Sequence, residues 1–426
     1  MHVELLYGEG TLSVEIDAGL RADVLEKKQM PVLPDALTAV GKALAGPVGA
    51  PPLHLRAQGA GSACILICDV TRPVPNGVIL PPLIRTLLDA DLAPEAITVL
   101  VATGLHPPNE GEELRRVVGD DWVLETVSVV NHFARDDAAH VHVGNTSRGN
   151  VVRLDKRFVE ADLRIVTGLV EPHFMAGYSG GRKVIAPGIA HAETITTLHS
   201  ARYMEDPNAD NGVLEGNPLH QDQLEIVGMV GGVLAVNAVI DDARRLSFVN
   251  FGEVVESHLQ AVAFTRPFVE LKVPRRYRTV VTSSAGYPLD STYYQTVKGM
   301  VGPLGILELG GTLIVVSECA KGMGSEEFVD AQSRLLALGP DGFLDSLLAK
   351  RQAAVDEWQT EKQLKPMRAG RVRLYASGLT GEDRALTGVE MIYSVEDAIA
   401  ESVGATGDPH VAFVPEGPYV IPQYAC

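Results

Sequence analysis

The sequence is poor in cysteine, and this shortage excludes several classes of protein. Only four cysteines occur in 426 residues, at Cys64, Cys68, Cys319 and Cys426. So few cysteines in so long a chain exclude a small disulfide-based fold. Cys64 and Cys68 lack a matching second pair, which argues against a zinc ribbon. Both lie in an apolar run, where we expect buried free thiols.

Basic residues are also scarce. The chain has 36 Lys and Arg against 54 Asp and Glu, a net charge of −18. No block of five or six basic residues occurs, so we expect no nucleic-acid partner. A small anionic substrate remains compatible with this balance, because a single pocket can be locally basic.

Long apolar runs are missing as well. The longest uncharged stretch, Ile226 to Ile240, contains three glycines and is shorter than the roughly 18 residues that indicate a membrane span. The first residues, MHVELLYGEG, lack the basic start of a signal peptide. We therefore expect a cytoplasmic protein without a membrane partner. A hydrophobic fraction of 46% is enough for a large core.

Short apolar, β-branched runs alternate with longer amphipathic segments. The runs are apolar nearly throughout, which is typical of strands covered on both faces. The predicted strands are Ala63–Cys68, Ile97–Ala102, Arg164–Thr167, Val233–Val239, Thr279–Thr282, Thr312–Ser317 and Arg371–Tyr375. The predicted helices are Val78–Leu92, Gln221–Val230, Val254–Phe264, one capped by Ser325, and a longest one at Phe343–Lys362. This alternation predicts an α/β fold with two domains and mainly parallel sheets flanked by helices.

The best domain boundary is the segment LKVPRRYR, at Leu271–Arg278. It combines a proline with a cluster of charges, and a new series of strands follows it. We predict a first α/β domain over residues 1–271 and a smaller second one over 272–426, whose last residues can return to the first. Because no low-complexity linker separates them, the two domains are expected to pack closely around a cleft.

Polar residues follow four of the predicted strands at the points where the strands end. Asp69 and Arg72 follow the first, His106 the second and His173 the third, within Glu171-Pro-His. A Ser-Ser-Ala-Gly turn follows the strand Thr279–Thr282. Ligands bind at the carboxyl ends of the strands in open α/β sheets, so we expect the active site there.

A glycine-rich turn with two basic residues comes soon after His173. Ser179, Gly180, Gly181, Arg182 and Lys183 form the sequence SGGRK. Backbone N–H groups in such a turn can converge on one anion, and the two cations add charge. It is not a Walker A loop, because Val follows the lysine.

Four polar or aromatic residues of the second domain are also candidates. Tyr294, Gln295 and Lys298 are spaced to share one face of a helix. Trp358 lies in the predicted long helix, where a core position is the plainer interpretation. His199, in a predicted helix after the glycine turn, joins His106 and His173 as a candidate for metal binding or proton transfer.

Together these stretches resemble the nickel-pincer-nucleotide-dependent lactate racemase family. The matching segments are Asp69-Val-Thr-Arg-Pro, Ala102-Thr-Gly-Leu-His, Glu171-Pro-His, Ser179-Gly-Gly-Arg-Lys with Pro187-Gly188, His199, Tyr294-Gln295 with Lys298, and Trp358. The resemblance runs in order across most of the chain.

The resemblance implies a cofactor, the nickel complex of pyridinium-3,5-bisthiocarboxylic acid mononucleotide. It implies Lys183 as a covalent tether to this nucleotide, His199 as the nickel ligand, and Asp69 as a polar partner near it. The turn residues Ser179, Gly180, Gly181 and Arg182 would bind the cofactor. Proteins that build the cofactor would be needed for loading.

The resemblance also implies racemisation of a small 2-hydroxycarboxylate, such as lactate or malate, through a 2-keto acid. His106 and His173 would be the acid/base pair, while Arg72, Tyr294, Gln295, Lys298 and Trp358 would bind or enclose the substrate. Loss of hydride as the hydroxyl loses its proton avoids a poorly stabilised carbanion, and one base on each side serves both enantiomers.

The sequence leaves the identity of the 2-hydroxy acid open. Members of the family often have arginine after the histidine of the Thr-Gly-x-His motif, whereas Pro107 and Pro108 follow His106 here. A second substrate carboxylate would need another cation, for which Lys298 and Arg182 are candidates. Two other functions remain open: a non-catalytic carrier of the nickel nucleotide, and a zinc hydrolase that uses the three histidines.

Overall fold

The structure is a computed structural model that describes residues 1–425. Cys426 lies outside the described residues. The strands are β1 (His2–Tyr7), β2 (Gly10–Glu15), β3 (Arg21–Val24), β4 (Ala63–Cys68), β5 (Ile97–Ala102), β6 (Ser128–Asn131), β7 (His140–Asn145), β8 (Val151–Asp155), β9 (Leu163–Leu169), β10 (Pro172–His173), β11 (Gly177–Tyr178), β12 (Val233–Ile240), β13 (Leu246–Glu253), β14 (Glu270–Val273), β15 (Tyr277–Ser283), β16 (Leu307–Val316), β17 (Gly370–Tyr375), β18 (Glu390–Ile392), β19 (His410–Val414) and β20 (Ile421–Tyr424).

Helices connect most of these strands. They are α1 (Ala36–Ala45), α2 (Leu53–Ala57), α3 (Asn76–Leu88), α4 (Gly111–Val118), α5 (Asp121–Thr126), α6 (Lys156–Val159), α7 (Arg182–Ile185), α8 (Ala192–Leu198), α9 (Ala201–Met204), α10 (Pro218–Val230), α11 (Val254–Val269), α12 (Tyr293–Val301), α13 (Glu326–Leu348), α14 (Glu357–Ala369), α15 (Gly381–Leu386) and α16 (Val395–Thr406). Within residues 1–425, none of them is both long and apolar enough to cross a membrane.

The first sheet has six strands in the order β13-β12-β9-β4-β5-β6. All neighbours are parallel except the pair β12 and β13. All six residues of β4 are buried, because helices cover both faces of a parallel sheet. The strands predicted at Ala63–Cys68 and Ile97–Ala102 are confirmed with their bounds.

The second sheet also has six strands, in the order β18-β17-β16-β15-β19-β3, and all of them are parallel. The two sheets confirm the α/β fold with mainly parallel strands. Four short pairs of strands accompany them: β1 with β2, β7 with β8, β10 with β11, and β14 with β20.

The division at residue 271 stays a prediction, and the pairing of the first and last strands bears on it. Strand β3 lies at the edge of the second sheet, where it pairs with β19. Near the other terminus, β20 pairs with β14, and Ile421 packs in one apolar cluster with Val170 and Tyr178. Residues 1–24 therefore lie with the second sheet, whereas the last strand, β20, packs against residues of the predicted first domain.

The helix predicted at Phe343–Lys362 is wrong, because two helices share this segment. Helix α13 ends at Leu348 and α14 begins at Glu357. Asp356 has a φ of 63°, which is outside the helical region. The Glu357 carboxylate accepts a hydrogen bond from the Ala354 N–H and fixes the intervening loop. The cap at Ser325 is confirmed, since its hydroxyl accepts from the Phe328 N–H.

Strand β9 and the SGGRK turn approach so closely that a side chain at Gly168 has no room. A Cβ atom there would lie 2.9 Å from the Gly180 Cα and 3.2 Å from a Val184 methyl carbon. We expect Gly168→Ala to lower the free energy of unfolding by about 1–3 kcal/mol, because backbone must shift. Urea unfolding measures this change.

The matched control is Gly228→Ala in α10, where an added Cβ has no atom within 4 Å. Alanine is the better helix former, so this variant should gain up to about 1 kcal/mol. Equal stabilities of the two variants would contradict the close approach of β9 and the turn.

Candidate active site

The polar strand ends predicted from the sequence meet at one edge of the first sheet. Strands β9, β4 and β5 are consecutive parallel neighbours. Asp69 and Arg72 follow β4, His106 follows β5, and His173 lies in the β10–β11 hairpin after β9. Parallel alignment therefore brings all four side chains to the same cleft.

His106 is paired with a buried carboxylate. Its Nδ1–H donates to Asp69 Oδ2 over 2.6 Å, and the Thr71 hydroxyl donates to the other oxygen over 2.5 Å. Burial alone would raise the pKa of Asp69, but the hydrogen bonds from His106 and Thr71 outweigh it and hold this pKa below its usual value. Asp69 thus fixes the His106 tautomer, leaving Nε2 with its lone pair on a ring whose side chain is 56% exposed.

His173 has the opposite hydrogen-bonding environment. Its Nδ1 accepts from the backbone N–H groups of Met175 and Ala176 over 3.3 and 3.1 Å. The proton of the neutral ring is therefore on Nε2. Burial, together with the charges of Lys183 and Arg72, holds the pKa of His173 well below its usual value.

Residues 179–182 of the SGGRK turn are buried, and they pack against or hydrogen-bond to other parts of the protein. The Ser179 hydroxyl donates to the Leu169 carbonyl over 2.6 Å and accepts from the Glu171 N–H over 3.1 Å. A Cβ at Gly180 would lie 2.8 Å from a Val170 methyl carbon, and one at Gly181 would lie 3.0 Å from His258. These contacts pack the turn on β9.

Arg182 does not present its guanidinium group to the cleft, contrary to the expectation that it adds charge to an anion site. Its Nε–H donates to His220 Nδ1 over 2.8 Å, and Nη2 donates to the Ala176 carbonyl over 2.9 Å. His258 Nε2 lies 2.9 Å from Arg182 Nη1 and 2.8 Å from the Ser179 carbonyl oxygen. In one tautomer Nε2 accepts from the arginine, and in the other its N–H donates to the carbonyl. Burial lowers the pKa of Arg182 to about 9.

Lys183 lies in the cleft without a partner. Within residues 1–425 its Nζ makes no hydrogen bond or ion pair. Burial lowers its pKa to about 7, and the charges of Arg72 and Lys298 act in the same direction. A substantial fraction of this amine is therefore uncharged near neutral pH. The cavity beside it is lined by His173, Met175, Ala176, Lys183, Pro187, Leu198, His199, Leu219 and Gln223.

His199 lies in this cavity with one ring nitrogen free. Its Nδ1–H donates to the Ile195 carbonyl over 2.8 Å, so Nε2 carries the lone pair. Burial lowers its pKa to about 4, despite that hydrogen bond. The Trp358 ring lies 4.6 Å from the imidazole between ring centres. Trp358 is thus a residue of the main hydrophobic core, as the plainer interpretation expects, and its ring also packs beside His199.

Helix α12 brings the remaining candidates from the second sheet. Thr292 caps it by accepting from the Gln295 N–H. The Trp358 Nε1–H donates to the Tyr294 hydroxyl over 3.3 Å. Lys298 Nζ lies 5.8 Å from the centre of the Phe174 ring, next to His173. The Gln295 Oε1 is buried and has no hydrogen-bond partner within residues 1–425.

Sequence reasoning did not assign roles to several residues around the site. Glu171 forms an ion pair with Arg72, and its position in the strand-end motif was the available signal. His220 and His258 bind Arg182 from α10 and α11. They lie 38 and 76 residues along the chain from it, so no local motif could reveal them.

The three candidate histidines do not form a protein-only metal site. Within the described part of the chain, no group of three or more His, Cys, Asp or Glu side chains could hold a metal ion. This argues against the zinc hydrolase alternative, which needs such a group.

The fold and cleft define a class of α/β proteins in which two mainly parallel sheets contribute to one site at the carboxyl ends of their strands. Family models described as the lactate racemase N-terminal domain and the lactate racemase C-terminal domain match residues 7–212 and 275–421. The chain belongs to the lactate racemase family.

Curated relatives are similar over most of their length. A lactate racemase from Thermoanaerobacterium thermosaccharolyticum is 31% identical over 372 residues, covering 84% of each chain. One from Lactiplantibacillus plantarum is 32% identical over 370 residues, again covering 84% of each.

Solved structures agree with the fold. The lactate racemase apoprotein from T. thermosaccharolyticum superposes with a TM-score of 0.92 at 28% identity, covering 99% of this chain and all of that one. A Thermotoga maritima protein gives a TM-score of 0.64 at 16% identity over 94% of this chain and 100% of that one, which shows the fold alone.

The buried histidines make stability depend on pH. Burial and the charge of Arg182 lower the pKa of His220 to about 3. An unfolded histidine titrates near pH 6.5, so below about pH 6.5 the unfolded chain binds a proton that the folded chain does not. The free energy of unfolding should therefore fall as the pH decreases through this range.

We expect His220→Gln to shrink the loss of unfolding free energy between about pH 7.5 and about pH 5.5 by about 1 kcal/mol. Urea unfolding at both pH values measures the difference, which is independent of any general destabilisation. The exposed His54→Gln is the control and should leave the difference unchanged. An unchanged difference in His220→Gln would show that this ring takes up its proton in the folded state.

Proposed function

We propose that this protein racemises a small 2-hydroxy acid such as lactate, using a nickel pincer nucleotide. The observation that carries the proposal is the arrangement of the cleft. Two imidazoles in different hydrogen-bonding environments, His106 and His173, accompany the unpaired amine of Lys183 and the free nitrogen of His199. The family and the curated lactate racemases at 31% and 32% identity support this reaction class.

The donor groups in the cavity fit the cofactor. A neutral imidazole nitrogen at His199 suits nickel as a single protein ligand, the other ligands being carried by the nucleotide itself. An uncharged amine at Lys183 can act as a nucleophile and become a covalent tether. When bound, the cofactor would accept a hydride from the substrate carbon and return it.

His106 is proposed to take and return the hydroxyl proton on its side of the substrate. Its Nε2 is free because Nδ1–H is held by Asp69. The carboxylate stabilises the imidazolium that forms when the proton arrives. Such a positioned base contributes about 10²–10⁴-fold to the rate.

His173 is proposed as the second member of the acid/base pair. Its resting ring carries the proton on Nε2 and could donate a hydrogen bond from there to a substrate oxygen. To accept a proton at Nε2, the ring must first carry its own proton on Nδ1. The N–H groups of Met175 and Ala176 oppose that tautomer, so this side needs a local rearrangement that His106 does not.

The substrate carboxylate is proposed to bind Arg72, whose planar guanidinium group matches a carboxylate in two hydrogen bonds. Lys298 adds charge, and the unpartnered Gln295 amide offers a polar contact. Tyr294 and Trp358 enclose the cleft and limit access of water, which protects a keto acid intermediate held there.

The cofactor assignment is tested by intact mass and metal content. Protein produced with the enzymes that build the nucleotide should gain the mass of the cofactor and bind nickel. Lys183→Ala should lose the added mass, because the tether is absent. Bound nickel without added mass would contradict the covalent tether. If the protein gains neither nickel nor mass under conditions in which a known lactate racemase loads normally, the cofactor assignment is contradicted.

The role of His106 is tested through its carboxylate partner. Asp69→Asn keeps the shape of the side chain but removes the charge that stabilises the imidazolium. We expect kcat for lactate racemisation to fall about 10²-fold or more in Asp69→Asn and further in His106→Ala, with nickel still bound. Either variant racemising at the normal rate would contradict the assignment. Full cofactor binding by the wild type without turnover would favour the carrier alternative.

A further inference from the structure

Arg72, the residue proposed to bind the substrate carboxylate, already has a carboxylate partner. Its Nη1 forms an ion pair with Glu171 Oε1. Arg72 follows β4 and Glu171 follows the adjacent strand β9. The two side chains are 21% and 23% exposed, so neither is free in solvent. One edge of the guanidinium group thus binds Glu171, and its remaining N–H groups are available to the substrate.

Glu171 is held in place by the backbone around it. Its N–H donates to the Ser179 hydroxyl over 3.1 Å, and its carbonyl accepts from the Ser179 N–H over 2.9 Å. Tyr419, near the carboxyl terminus, lies close enough for its pKa to be raised by burial and by the charge of Glu171. The backbone of Glu171 is therefore fixed, and the ion pair with Arg72 places its carboxylate in the site.

Few of the cations near the cleft have N–H groups left free to bind a substrate. Four cations lower the pKa of His173: Lys183, Arg72, Lys298 and Arg182. Arg182 is enclosed by His220, His258 and the Ala176 carbonyl. Arg182 keeps its charge, but its N–H groups are occupied by these neutral partners. Arg72 is neutralised by Glu171, and a tether at Lys183 would remove the charge of that amine.

Once Lys183 is tethered, Lys298 is therefore the cation of this group, within residues 1–425, whose ammonium makes no hydrogen bond or ion pair with the protein. Burial and Arg72 lower its pKa to about 8, while Glu171 and Asp69 act to raise it. No cation follows His106 in its loop, where Pro107 is exposed. Together with the free edge of Arg72, this one ammonium group can serve one substrate carboxylate.

We propose that Glu171 is a specificity-determining residue, which positions Arg72 for one carboxylate and rejects 2-hydroxy acids that carry a second one. The proposal rests on the proposed function. A dicarboxylic substrate such as malate would bring a further negative charge next to Glu171 and Asp69 without a cation to meet it. One such charge at close range in a partly solvated cleft changes affinity by about tenfold or more.

The test is Glu171→Gln, which keeps an oxygen that can accept from Arg72 and removes the charge. In the loaded enzyme we expect the ratio of kcat/KM for malate to that for lactate to rise about tenfold. A ratio within twofold of wild type would overturn the proposal. Glu171→Ala should lose turnover of both acids, because Arg72 is no longer positioned.

Glu308→Gln is the matched control. Glu308 accepts from Arg278 in a partly buried ion pair at the start of β16, away from the strand ends that carry the site. It removes one carboxylate from the chain and should leave the selectivity ratio unchanged. A shift in this control equal to that in Glu171→Gln would mean that overall charge, rather than Glu171, sets the ratio.

A binding measurement separates this proposal from the proposed function. Calorimetry compares oxamate, a monocarboxylate, with hydroxymalonate, a dicarboxylate, on the cofactor-loaded protein. If the wild type turns over neither lactate nor malate, the proposed function fails, yet Glu171→Gln should still tighten hydroxymalonate relative to oxamate about tenfold. Unchanged relative affinities would overturn the role of Glu171.

A second variant changes the charge of the cleft in the same direction by adding a cation instead of removing a carboxylate. If Glu171→Gln does not fold, Pro107→Arg adds a cation at an exposed position beside His106. It should raise the malate-to-lactate ratio in the same direction. An unchanged ratio in a folded Pro107→Arg protein would overturn the charge-balance argument.

Discussion

The close packing of the SGGRK turn on β9 is the constraint on which the site depends. Gly168 and Gly180 approach with no space for a side chain, and the Ser179 hydroxyl joins the turn to the Leu169 carbonyl. Arg182 extends this support, because it binds the Ala176 carbonyl while the Ala176 N–H binds His173 Nδ1. The packing of this turn therefore determines both the burial of Lys183 and the tautomer of His173.

Burial at this turn also determines the electrostatics of the cleft. The amine of Lys183 and the imidazoles of His173 and His199 are removed from water beside several cations, and each consequently favours its neutral form. Asp69 is the exception that keeps a charge, because His106 and Thr71 hydrogen-bond to it. In the proposed function, the neutral nitrogens of Lys183 and His199 would hold the cofactor, whereas the carboxylate-supported imidazole of His106 would transfer a proton.

The sequence predicted the sheets and the strand-end residues well, because buried parallel strands are continuous apolar runs. Strands β4 and β5 were found with their bounds, whereas β3 and β18 are too short and too polar to give that signal. Local motifs brought out His106, His173 and Lys183. The roles of Arg182 and Glu171 depend on contacts with distant segments, and a one-dimensional pattern does not contain those contacts.

Helix α14 shows why the bounds of the helix that carries Trp358 were not predicted from the sequence. Its residues Glu357 to Gln363 are polar apart from Trp358, and all are buried. Burying unpaired polar groups is costly, but Lys362 donates to the carbonyls of Met204 and Ala209, which belong to the predicted first domain. Gln359 donates to the Tyr294 carbonyl. Since the two Lys362 bonds exist only when both sheets are docked, the contact between Trp358 and His199 is a property of the assembled chain. Because the buried residues at the start of α14 are mostly polar, apolar periodicity does not indicate where this helix begins.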